Sequence, residues 1–278
     1  MQPMNVDLHC HSTASDGLLK PGELVARAAA NGVDILALTD HDGVSGLAEA
    51  RARAEADGIR FVDGVEISVT WEGSTVHIVG LQIDPQDPVL RSGLESVREG
   101  RARRAEKMGE ALDAAGIPGS LAGAKTYAEN PDLISRSHFA RHLVKTGRAP
   151  NVRSVFQHYL VKGKPGFVPH EWASLGDAVN WIRASGGIAV VAHPGRYKFA
   201  KPELHAFLAE FRDCGGEGIE VVTGSHSPEQ FVEFARISRE FGLTASRGSD
   251  YHGKGESKAD LGALPQLPGD LKPVWHDW

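Results

Sequence analysis

The chain reads as an α/β protein, a (β/α)7 TIM-like barrel with a helical insertion. Seven short apolar runs of strand length recur along its 278 residues, and helical patterns separate many of them. A His, Asp or Glu stands at the end or on one face of six of the seven. Strands alternating with helices favour a parallel sheet or barrel, and such barrels gather their chemistry at the carboxyl ends of the strands.

The strand candidates are 6–9, 35–39, 61–67, 76–81, 188–192, 218–222 and 244–249. Pro21 suits the first position of a helix, and Gly32 stops the apolar pattern of 24–30. A second helix covers 45–56 and ends before Gly58. Further helices cover 176–184, 203–214 and 228–241. The alternation lapses between about 90 and 167, where 90–115, 137–146 and 152–160 read as helices and no strand candidate precedes 166–169. The division expected is a first part of the barrel over 1–100, a helical insertion over 101–168 lying as a basic lid over the site, and the rest of the barrel over 169–278. No internal repeat or low-complexity segment is evident.

Composition narrows the class. Two cysteines, Cys10 and Cys214, make a disulfide framework an unsuitable reading and a reducing compartment the simpler one. With no apolar leader at the start and no apolar run long enough to span a bilayer, a cytoplasmic location and no membrane partner are expected. The net charge of −6 is uneven: residues 98–164 hold 13 Lys/Arg against 6 Asp/Glu. A basic insert on an acidic barrel suits an anionic ligand bound beneath it.

The chemistry sits in ordered motifs. In Asp7-Leu8-His9-Cys10-His11, side chains two apart on a strand point the same way, so His9 and His11 can share one metal while Cys10 faces away. Asp16 follows on the loop. The second strand ends in Asp40-His41-Asp42, the third carries Glu66, the fourth His77, the fifth ends at His193, and the seventh leads to Asp250 and His252. Unpaired buried charges are costly, and a metal cluster supplies their partners. Nine candidate ligands, all imidazole or carboxylate, suit two or three divalent ions, of which Mn²⁺, Zn²⁺ and Fe²⁺ all accept such donors. Glu66 is the natural bridge between two of them. Such ions activate water for attack at phosphorus and stabilise its oxygens, which makes His9, His11, Glu66, His193 and Asp250 the core of the catalytic set. Asp40 could instead fix an imidazole tautomer from behind.

The motifs at 7–17, 39–42, 64–68, 77–80, 192–196 and 248–252 together resemble the polymerase and histidinol phosphatase (PHP) family, in order and over nearly the whole chain. The resemblance implies a distorted seven-stranded barrel with a two- or three-metal site, often manganese-loaded, and all nine candidates fall on its pattern. Segments 134–143, 159–167 and 192–196 resemble the nucleoside 3′,5′-bisphosphate phosphatases within it. That implies a phosphoric monoester hydrolase removing the 3′-phosphate to leave a 5′-monophosphate. The alternatives are a 5′-3′ exoribonuclease on short RNA and a non-catalytic metal-bound module. No protein partner is indicated.

A phosphate substrate needs cations beyond the metals. Arg196, three residues after His193, and Ser135 with Arg136 at a helix start are expected to contact it. Arg101 and Arg104, on one helix face, and Lys164, in a Gly-Pro loop, are further candidates, with His138 serving substrate or capping its helix. His226, after the sixth strand, is placed to protonate a leaving oxygen or bond a sugar.

Overall fold

Alternating apolar residues sort the strand side chains onto two surfaces of one sheet. The computed structural model describes residues 4–278. Ile35 and Ala37 of β2 (Ile35–Leu38), Val79 and Leu81 of β4 (Ser74–Leu81) and Val190 of β5 (Ile188–Val191) share one core. Their neighbours Leu36, Leu38, Ile78 and Val191 belong to another, which includes the helices. A sheet curled on itself and wrapped by helices requires this two-sided burial.

The seven strands lie in chain order, with β1 (Val6–Asp7), β3 (Arg60–Trp71), β6 (Gly218–Thr223) and β7 (Thr244–Gly248) completing the set. The barrel nearly closes where Leu8 N donates to Arg247 O at 3.0 Å and Cys10 bridges to Tyr251. All seven expected strands are present. Segment 166–169 is not a strand; the chain rejoins the sheet later, as a bridge from Ala173 to Val69.

The parallel expectation needs one correction. β4 runs antiparallel to both β3 and β5. No helix separates β3 from β4: Trp71 pairs with Ser74 across a two-residue turn in which Glu72 and Gly73 have φ of 45° and 71°, as a tight hairpin demands. The reversal brings the start of β4 to the mouth where the other strands end. His77 therefore reaches the site from the beginning of its strand, opposite Ser68.

On the barrel, α1 (Pro21–Ala30) opens with its proline, and α2 (Leu47–Asp57) stops at Gly58, whose φ of 73° suits glycine. Between β4 and β5 come α3 (Pro88–Ala114), α4 (Ser120–Lys125), α5 (Arg136–Lys145) and the short α6 (Val152–Val155), which runs into a wide helical turn over Phe156–Leu160. These have a core of their own, in which Met108, Leu112, Phe139, Leu143 and Leu160 are buried. The first turns of α3 instead pack on the barrel, against α7 (Leu175–Ala184). α8 (Lys201–Asp213) and α9 (Pro228–Phe241) complete the outer layer.

Gly93 sets how closely α3 approaches α7: a Cβ there would lie 2.3 Å from the Trp181 ring. Gly93→Ala should therefore lower stability by about 1–3 kcal/mol, the usual cost of overpacking. Urea unfolding followed by far-UV circular dichroism measures it, and an unchanged midpoint would mean that the Trp181 ring moves aside freely.

Candidate metal centre

Alternation along β3 sends Val65 and Ile67 outward and Glu66 inward, where it is fully buried. Five imidazoles surround its carboxylate. His41 Nδ1 lies 2.9 Å from Oε2, His77 Nδ1 and His193 Nε2 lie 2.9 Å from Oε1, and His9 and His11 stand 3.4 and 3.3 Å away. His9 and His11 do point the same way, their Nε2 atoms 3.1 Å apart, while Cys10 turns its thiol to Ala37 O. His193 lies just past β5, after Ala192, and Asp250 just past β7, after Ser249, with φ of 27° and 54°. Such left-handed conformations in non-glycine residues cost energy and cluster at functional sites.

The nine sequence candidates form four overlapping groups whose donor atoms lie within 4.8 Å of one another: His11, Asp16, His41 and His252; His9, Glu66 and His193; His9, His11 and Asp250; His41, Glu66 and His77. Glu66 belongs to two of them. Burial would raise its pKa, but His77, His41 and His9 hold it well below the usual carboxylate range. Burial likewise opposes a charge on His252, yet Asp16 and Asp250 push it up to about 9. His11 is pulled down to about 3 by burial and by His252 and His41.

These residues fit divalent ions on a structural ground. The carboxylate oxygens Asp16 Oδ1, Glu66 Oε2 and Asp250 Oδ1 are buried without a well-aligned hydrogen-bond partner. Buried polar atoms normally have one, and a mixed nitrogen–oxygen donor set without thiolate is what Mn²⁺, Zn²⁺ or Fe²⁺ accept. The cluster is a candidate site for metal ions.

Around the cluster, the expected anion contacts separate. Arg136 lines the narrow cleft above the ligands, with Arg196, Asp16 and His252, and Arg196 Nη1 donates to Asp250 Oδ2 at 2.9 Å. Arg136 also lines a neighbouring recess of about 390 Å³, with Arg104, Lys162, Phe167 and His170. Lys162 and Lys164 are both exposed, and of the two it is Lys162 that stands in that wall. Arg101 is engaged elsewhere: its guanidinium pairs with the fully buried Asp42 and donates to Ser68 Oγ. Arg101 and Arg104 both lie over the Trp172 ring, at 4.8 and 5.4 Å.

Other residues hold the site together. Ser135 caps α5 and donates to Asp16 Oδ2 at 2.9 Å, and His138 Nδ1 accepts from Ser135 N. Both ring nitrogens of His226 are taken: Gly195 N donates to Nε2 at 2.9 Å, and Nδ1 lies 3.1 Å from Val221 O. That leaves no nitrogen of His226 for a leaving oxygen or a sugar in this geometry. Burial lowers its pKa to about 4, so the ring is a neutral brace for the loop after His193. Asp40 touches no imidazole; it accepts from Ser12 N, Ser12 Oγ and Ser15 Oγ and so shapes the loop leading to Asp16. The carboxylate behind an imidazole is Glu220 on β6, 2.7 Å from His9 Nδ1. Sequence reading passed it over. Its one signal was an acidic residue inside the apolar run Gly-Ile-Glu-Val-Val.

A barrel bearing an imidazole–carboxylate cluster at one mouth defines a class, the metal-binding α/β barrels. The chain belongs to the PHP domain family, whose domain matches residues 7–222. It is 52% identical over 273 residues to a 3′,5′-nucleoside bisphosphate phosphatase of Chromobacterium violaceum, covering 98% of this chain and 96% of that one. It is 43% identical to a 5′-3′ exoribonuclease of Haemophilus influenzae, covering 97% of each. A solved structure of an amidohydrolase from Chromobacterium violaceum, with bound sulfate and no metal, superimposes with a TM-score of 0.95 at 52% identity, covering 98% of this chain and 95% of that one.

The Arg101–Asp42 pair lies beneath the His41 loop with both side chains buried. Arg101→Ala should destabilise the protein by about 3–5 kcal/mol, because it leaves a buried carboxylate uncompensated. Adding Asp42→Asn should recover part of the loss. Denaturant unfolding of the single and double variants checks this, and a loss below about 1 kcal/mol in the single variant would refute it.

Proposed function

We propose that the protein is a metal-dependent phosphatase that hydrolyses the 3′-phosphate of nucleoside 3′,5′-bisphosphates. The observation that carries this reading is the position of Arg136, between the ligand cluster and a second recess that also holds Arg104 and Lys162. Among the described residues no carboxylate pairs with Arg136 or Arg104, and the only hydrogen bond from the Arg104 side chain runs from Nε to Val168 O. Burial and neighbouring arginines pull Arg104 down to about 9 and Arg136 to about 10, so both remain cationic at neutral pH. An anion in the recess would offset that charge. A substrate with two phosphates then fits: one at the metals, the other against the insertion. The 52% identity to a phosphatase for such bisphosphates, over nearly the full length of both chains, supports the same substrate.

His9, His11, Asp16, His41, Glu66, His77, His193, Asp250 and His252 would hold two or three ions, Mn²⁺ first among them. When bound, these supply an activated water and offset charge on the phosphate oxygens. The chain's own groups do the rest. Arg196, tethered by Asp250, faces the reacting phosphate. Arg136 and Arg104 hold the remote one, whose binding energy positions the reacting group. The insertion, 101–168, acts as the lid carrying these cations. Arg101, Ser135, His138 and His226 enter as supports of the site, through the contacts described above.

A second reading has its own observation. Another recess, about 360 Å³, opens on the far side of Asp250 and His252, lined by Arg196, Ser225 and Lys258. The cleft thus continues in two directions, as a strand running through it would need, and a relative at 43% identity is a 5′-3′ exoribonuclease. Short 5′-phosphorylated RNA is therefore the alternative substrate.

Protein stripped by chelator and reloaded with Mn²⁺ should hold two to three equivalents by elemental analysis. It should turn over adenosine 3′,5′-bisphosphate with a kcat/KM at least tenfold above that for adenosine 3′- or 5′-monophosphate. Equal values for all three would remove the two-site arrangement, and release of nucleotides from short RNA with little action on the bisphosphate would favour the exonuclease reading. Arg136→Ala should lower kcat/KM for the bisphosphate by roughly ten- to a hundredfold, the loss of one charge-assisted contact worth about 1.5–3 kcal/mol, with the metal content unchanged. Unaltered kinetics would make Arg136 a bystander.

A further inference from the structure

We infer that Glu220 is a positioning residue of the metal centre, setting the ring tautomer of one ligand and the backbone of another through its two carboxylate oxygens. This rests on the reading of the cluster as a metal site. Glu220 is 1% exposed, and its oxygens are divided between two of the proposed ligands. Oε1 lies 2.7 Å from His9 Nδ1, and Oε2 accepts from His193 N at 2.5 Å. His9, Glu66 and His193 form one of the four ligand groups.

Each contact has a consequence. With Nδ1–H donated to Glu220, the His9 Nε2 lone pair is free for a metal, and it is Nε2 that faces Glu66, Asp250 and His11. The backbone contact anchors His193 in its unusual conformation, φ 27°, where the ring turns Nε2 toward Glu66 Oε1 at 2.9 Å. Two features of the barrel allow one side chain to serve both. The β6–β7 register slips between Glu220 and Val222, an irregularity that re-aims strand side chains. On β7, between β6 and β1, Gly248 leaves the wall open: a Cβ there would lie 2.3 Å from His9 Cβ. Any larger residue would push His9 out of reach of β6.

The chemistry also discriminates carboxylate from amide. Both partners are donors, an imidazole N–H and a peptide N–H, so two acceptors are required. A glutamine offers one acceptor and one donor. Glu220→Gln must either face an N–H with its own NH₂ or donate to His9 Nδ1 and so place the ring proton on Nε2, the metal-facing nitrogen. A bulk-filling role would tolerate the isosteric amide.

The test is Mn²⁺ titration of the chelator-treated full chain, unsubstituted and Glu220→Gln, with far-UV circular dichroism to confirm that the variant is folded. The expected result is a ten- to hundredfold weaker Mn²⁺ affinity in the variant, the usual range for a carboxylate behind a histidine ligand, with kcat largely regained at saturating Mn²⁺. Equal affinity overturns the inference while leaving the metal reading intact. No Mn²⁺ binding by the unsubstituted chain overturns both. Should the variant not fold, the Zn²⁺-loaded unsubstituted chain decides, with the His9 ring identified in ¹⁵N spectra by its loss in His9→Gln. A protonated Nδ1 with Nε2 bound to metal supports the inference, and metal on Nδ1 overturns it.

Discussion

A carboxylate without solvent exposure, ringed by five imidazoles, is the constraint on which the site depends. Glu66 sits in the middle of the longest strand with its neighbours Val65 and Ile67 locked in the outer core. It cannot turn outward without reversing the burial of both. Everything that approaches it must therefore be compatible with buried negative charge. The imidazoles come from four other strands or the loops after them, and that convergence fixes the mouth of the barrel as the place where chemistry occurs. His193 and Asp250, whose side chains enter the cluster just past their strands, hold positive φ, a strain that clusters at functional sites.

Much of this was legible in the sequence because period and chemistry coincide. Apolar runs of strand length with a His, Asp or Glu at their end or on one face identified the strands and most donors together, and these with Asp16 from the loop after β1 are the nine that assemble into four groups. The antiparallel β4 was harder. An Asp-Gly or Asn-Gly turn would have announced the hairpin, but here the turn is Glu72-Gly73, and the habit of α/β alternation overrode a single glycine. His77 was still found, because reversing the strand moves its start, not its end, to the active mouth.

Roles proved less legible than positions. Whether an arginine contacts a ligand or a carboxylate depends on what long-range packing brings beside it. Arg101 and Arg104 share a helix face and both cover Trp172, yet Arg101 meets Asp42 from the loop after β2, whereas Arg104 has, among the described residues, the Val168 carbonyl as its one hydrogen-bond acceptor. The partner lies 59 residues away in one case and has no carboxylate counterpart in the other. The same holds for His226, whose two nitrogens are consumed by backbone groups, and for Glu220, whose partners are 211 and 27 residues distant. Local sequence carries none of that information.

The insertion ties the remaining pieces together. Ser135 donates to Asp16, and Arg141 donates to Asp16 O and pairs with Glu256 in the loop beyond His252. The helix that carries Arg136 and Arg141 therefore also braces the Asp16 loop and the loop beyond His252. A movement of α5 away from the barrel would shift Arg136 and loosen Asp16 in the same step. On the proposed function, substrate recognition and the integrity of the ligand cluster would be coupled through the N-terminus of α5. On the proposed reading, contacts of that kind would let binding energy from a remote phosphate be felt at the reacting one, since Arg136 is one residue from Ser135, which holds Asp16.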